Sequence, residues 1–223
     1  MNAVAAAFCP LTPLLFRHLC GAEDPVADLR ASAVTAVRDA VDGAASVVVL
    51  VPVGGREAPA AWFDPSGLLP GGASLGEQVG RHLLDLAGCT LPTSYVEVRA
   101  RDVSPQLQPY DMSAGDFRVT TPQLQGSGAT ALLVLGDGAA SRGDGAPGYI
   151  DDRSFAYDDH VADLLAKGDA DGLRDLDPAL GADLLATGRF TWPVAGTALH
   201  PAAAELRWRG DPFGLSYFVA LWR

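Results

Sequence analysis

The chain has 223 residues, enough for one large α/β domain, and residues 1–223 are expected to form a single domain. Its formal charge is -11 and Lys167 is its sole lysine, which argues against a protein that tracks phosphate backbones, so no nucleic-acid partner is expected. It has no long apolar run and no basic leader before an apolar stretch, so no membrane association and no signal peptide are expected; three cysteines without paired spacing, Cys9, Cys20 and Cys89, suit a reducing cytoplasmic setting.

Residues 3–8 are small and apolar without alternation, the pattern of a strand covered on both faces. Pro10 and Pro13 then forbid ladder pairing and helix, which predicts a fixed extended turn. In open α/β sheets ligands bind outside the carboxyl ends of strands, so the side chains of this exit, Cys9, Leu11 and Thr12, are pocket candidates. Asp24 and Pro25 read as N-cap and first residue of a helix, and Val26, Leu29, Ala33, Val37 and Val41 carry its apolar face to Gly43. Residues 46–53 complete a βαβ unit as a second buried strand.

Residues 54–73 read as a long loop carrying Arg56, Glu57 and Trp62, and loops of that length inside compact domains are more often functional than merely connecting. Ser74 and Glu77 have the spacing of a capping box, opening a helix through Leu75, Val79, Leu83 and Leu86 to Gly88, and a strand follows at 95–98. Four prolines between Pro92 and Pro122 make 99–128 irregular, with a short edge strand near 118–120. The apolar run 129–135 reads as a central strand. Helices are then expected up to Gly168, from Asp169 to about Leu176, from Pro178 to a stop at Gly188, and around 192–204 with an interruption at Pro201. Residues 205–209 and 215–222 read as an antiparallel hairpin, so the sheet is expected to be mixed.

Two of these strand exits carry a family likeness. The run Phe8-Cys9-Pro10-Leu11-Thr12-Pro13 resembles the first motif of the class III extradiol ring-cleaving dioxygenase superfamily, the protocatechuate 4,5-dioxygenase beta-subunit type with Memo-like relatives, and Leu11 falls where that family has a histidine between prolines. The strand 131–135 with Gly136-Asp137-Gly138 resembles the family's later strand and turn, whose histidine acts as acid/base; here Ala139, Ala140 and Ser141 fill the turn, with Ala140 at the histidine position. Stretches around Tyr149, Phe155 and Asp158, from 168 to 189, and from 212 to 220 also resemble the family, so the likeness spans most of the chain in short motifs. It implies a three-layer α/β/α fold with a mixed, mostly parallel sheet and a C-terminal antiparallel hairpin. It also implies Fe(II) held by two histidines and a carboxylate. The second histidine would follow the strand 46–53, where Gly54, Gly55 and Arg56 stand. With Leu11, Gly55 and Ala140 at the three positions, the expectation is a degenerate member without iron chemistry, which binds a small molecule or works as a repurposed, metal-independent enzyme.

The groups expected to act in such a pocket are Asp137, Glu57 and Tyr149, with Cys9, Leu11, Thr12, Arg56 and Ser141 lining it. Simpler roles stand beside these. The acidic pair Asp151 and Asp152 suits a helix N-terminus, Arg56 and Glu57 suit a solvated pair, and the glycines flanking Asp137 suit a tight strand exit. The 136–138 turn lacks both dinucleotide and P-loop spacing. No cofactor is expected; Fe(II) or zinc would require a rearranged set built on Cys9, His18 and Cys20, the basis of an alternative reading as a metal-dependent oxygenase or hydrolase. His82, His160 and His200 read as structural or surface residues. A third reading is a non-catalytic subunit or scaffold that self-associates as a homo-oligomer through the aromatic hairpin of Trp208, Phe213, Tyr217, Phe218 and Trp222.

Overall fold

A computed structural model describes residues 2–53, 74–99 and 128–223. Six strands form one sheet: β1 (Asn2–Cys9), β2 (Ser46–Val53), β3 (Thr93–Arg99), β4 (Ala129–Leu135), β5 (Ala204–Gly210) and β6 (Tyr217–Trp222), in the spatial order β3-β2-β4-β1-β6-β5. The β3, β2, β4 and β1 neighbours run parallel, while β6 is antiparallel to both β1 and β5. The expected mixed, mostly parallel α/β sheet with a C-terminal antiparallel hairpin is therefore observed.

Side-chain alternation along the buried strands divides the core in two. On one face Ala7, Cys9, Val47, Val49, Leu133 and Val219 pack beneath α1 (Ala27–Val41) and α2 (Leu75–Ala87). On the other, Phe8, Val48, Leu50, Leu132, Val134 and Trp222 pack beneath α3 (Arg153–Lys167), α4 (Ala170–Arg174) and α6 (Gly188–Ala198), with the short α5 (Pro178–Asp183) beside α6. These are the three layers of an α/β/α sandwich. Among the described residues, no helix is long and apolar enough to cross a membrane.

Several elements start or stop away from their expected positions. The 10–13 exit is not simply extended: Pro13–Leu15 make one turn of 3-10 helix, with the Thr12 side chain as cap and Pro13 at its start, where the missing N–H is harmless. Asp24 does not cap α1. Its carboxylate is drawn to Arg30 (2.7 and 3.1 Å) and to Arg17, and the helix begins three residues later. Gly188 does not stop a helix but opens α6; α5 ends at Asp183, and Leu185 turns the chain with φ 58°. Glycine at 188 reflects close approach, because a Cβ there would lie 2.1 Å from the Trp192 indole, and the facing Gly136 is constrained in turn, since its Cβ would lie 2.6 Å from the Gly188 Cα. The last helix therefore ends before Pro201, and it contains Pro193 instead. The long loop at 54–73, with Gly55, Arg56 and Glu57, and the edge strand near 118–120 lie outside the described residues.

Candidate functional site

The parallel strands β1 and β4 end side by side, and two short contacts join their exits: the Gly136 N–H donates to the Cys9 carbonyl (3.0 Å) and the Leu11 N–H donates to Asp137 Oδ1 (2.8 Å). The loop before α6 closes the other side. The Asp137 N–H donates to Thr187 Oγ1 (2.8 Å) and the Gly188 N–H donates to the Asp137 carbonyl (2.9 Å). Asp137 is thus held at three points between β1, β4 and α6, and only 4% of its surface is exposed. Burial pushes its carboxyl up from the usual 3.8 to about 7, against the opposing pull of the Leu11 N–H and Thr187.

Thr12 follows Leu11 in the same exit, and Tyr217 stands near enough for the Asp137 charge to act on its phenol. Both are buried, their hydroxyls stand 3.4 Å apart, and Thr12 Oγ1 also accepts the Leu14 N–H (3.3 Å). Burial, with the Asp137 charge adding to it, pushes the Tyr217 phenol up to about 12, so it remains a neutral hydroxyl. The described part of the site therefore offers one carboxyl that changes charge near neutrality and two neutral hydroxyls. A carboxyl in that range can take or give a proton at physiological pH.

Of the residues expected to act together, Asp137, Leu11, Thr12 and the backbone of Cys9 converge. The Cys9 side chain lies within the α1/α2 core, where burial pushes its thiol far up. Ser141 turns to α3 and shares a 2.7 Å hydrogen bond with Ser154. Tyr149 is 98% exposed on the 142–152 loop and is not part of the buried cluster. Asp151 keeps the simpler of its two roles, accepting the Arg153 N–H (2.9 Å) and pairing with the Arg153 guanidinium. Glu57 and Arg56 fall outside the described residues.

Of the three positions that the resemblance singles out, Leu11 contributes its backbone N–H to Asp137, Ala140 at the acid/base position presents no side-chain donor, and Gly55 lies outside the described residues. Among the described residues, no three His, Cys, Asp or Glu side chains gather as an ion site. His18 is exposed against Phe16, while Cys20 donates its S–H to the Leu14 carbonyl and touches Arg30. An open groove of about 570 Å³, lined in part by Asp39, Gly43, Gly88 and Cys89, lies at the opposite, amino ends of β2 and β3.

Sequence reasoning missed Thr187 and gave no site role to Tyr217, Asp158 or Arg142. Thr187 is 50 residues from its partner and carries no local signal. Tyr217 was legible only as one aromatic of a hairpin, yet its place opposite Gly210 at the start of β6 brings it to the carboxyl end of β1. No family model matches this chain, and no curated protein matches it.

Proposed function

We propose that the chain is a degenerate member of the class III extradiol dioxygenase superfamily that has kept the strand-end site and replaced its iron chemistry with a site built on Asp137. In this reading the site binds a small molecule and uses Asp137 as a proton donor or acceptor, with the Thr12 and Tyr217 hydroxyls as hydrogen-bonding groups. The observation that carries it is the Leu11 N–H to Asp137 hydrogen bond: the residue at the family's first histidine position now supports a buried carboxyl that titrates near 7. Such a carboxyl costs the fold stability, and strongly perturbed groups of this kind concentrate at functional sites.

Protein purified without chelators should contain well under one iron per chain, and it should not open catechol or protocatechuate in air when Fe(II) is supplied. Stoichiometric iron together with ring-cleaved product would defeat the reading.

A further inference from the structure

We infer that Asp158 is a positioning residue of this site: from α3 it clamps the 138–142 turn to the tip of the β5–β6 hairpin and so sets where Asp137 and Tyr217 meet β1. The inference rests on the reading of Asp137 as the working group. Asp158 is fully buried, and its carboxyl accepts three donors: the Ala139 N–H (2.9 Å), the Ser216 hydroxyl (2.5 Å) and Arg142 Nη1 (3.1 Å). A Cβ on Gly138 would lie 2.6 Å from Asp158 Oδ1, so the turn and the carboxyl fit only because glycine stands there.

The turn and the hairpin also pair through their backbones. Gly138 donates to the Ser216 carbonyl, Ser216 to the Ala139 carbonyl and Arg142 to the Gly214 carbonyl. Arg142 then completes the clamp by bonding Asp211 through Nε (2.7 Å) and lying over the Phe155 ring. Each of the two clamped segments has a site residue as its immediate neighbour: Asp137 precedes Gly138, and Tyr217 follows Ser216. Asp137 takes the Leu11 N–H and Tyr217 reaches Thr12, so both contacts with the β1 exit depend on how the turn and hairpin tip are held.

The two buried carboxyls of this region thereby divide their work. Asp158 has three directed donors, one of them a guanidinium, and serves geometry. Asp137, held by neutral donors among the described residues, is left to exchange its proton.

Carboxyl-labelled aspartate with amide NMR separates these roles in the full chain. Asp158→Asn should shift the Leu11 amide and weaken its protection from exchange, because the Leu11 to Asp137 bond loosens. Ser216→Ala changes no charge, and it should lower the Asp137 midpoint by about one pH unit as water reaches the carboxyl. Asp159→Asn, on the exposed side of the same helix, should change neither signal. Unaltered Leu11 and Asp137 signals in the Ser216→Ala protein would overturn the clamp, and that neutral variant decides the matter if Asp158→Asn does not fold. A wild-type Asp137 midpoint near 3.8 would instead defeat the functional reading, while the Leu11 amide would still report on the clamp.

Discussion

At the scale of single residues, Asp137 makes the sharpest demand on the fold. Its folded value near 7 lies above the 3.8 of an ordinary carboxyl, so the native state keeps a proton that the unfolded chain releases between those values. The sign follows directly: this group's contribution is fully present below pH 3.8 and is lost as pH rises through 7. The change amounts to about 4 kcal/mol. Asp158 is also raised by burial, against its Ala139, Ser216 and Arg142 partners, and acts in the same direction. Urea melts of the wild type should therefore lose stability from pH 4 to 7, and Asp137→Asn, which cannot ionise, should flatten that slope. A slope of equal size in the variant would assign the pH dependence to other groups.

At the scale of elements, α2 is the place where sequence logic and structure agree most closely. Ser74 accepts the Glu77 N–H and Glu77 accepts the Ser74 N–H, as their spacing predicts, so Ser74→Ala should cost about 1 kcal/mol in chemical denaturation. The same helix lies so close to β2 that a Cβ at Gly76 would stand 2.1 Å from Val51 Cγ1. Gly76→Ala should therefore destabilise the fold by about 1–3 kcal/mol despite alanine's better helix propensity; a neutral or stabilising result would mean that the α2–β2 gap opens easily. The start of α1 was less legible, because Asp24 had two competing uses and ion pairing with Arg30 won over capping. Gly188 misled for a related reason. A glycine needed to make room for a neighbouring indole has the same local appearance as one that ends a helix, and only the packed position of Trp192 against Gly188 tells them apart.

At the scale of the whole molecule, the strands, the mixed sheet and the two apolar layers could be read from runs of small and branched residues, since those patterns are local. The site was only partly legible. Asp137, Leu11 and Thr12 sit at strand exits, which sequence can find, whereas Thr187, Tyr217 and Asp158 reach the same place by long-range packing. The aromatic hairpin is also explained at this scale. β6 lies between β1 and β5 and is buried throughout, Trp222 packs edge-on to Phe8 at 4.8 Å, and its indole N–H donates to the Leu165 carbonyl (2.8 Å). Phe218 and Trp222 serve the core, whereas Phe213 is exposed, so Trp222→Ala should cost about 3–5 kcal/mol in urea denaturation; a loss below about 1 kcal/mol would contradict that role.

The proposed function needs a carboxyl that works in the neutral range at the exits of β1 and β4. Carboxyl-labelled aspartate NMR of the wild-type chain over pH 3 to 9 tests it most directly. The expected result is one buried aspartate, identified by its loss in Asp137→Asn, with a midpoint near 7. An Asp137 midpoint near the ordinary 3.8 would contradict the account.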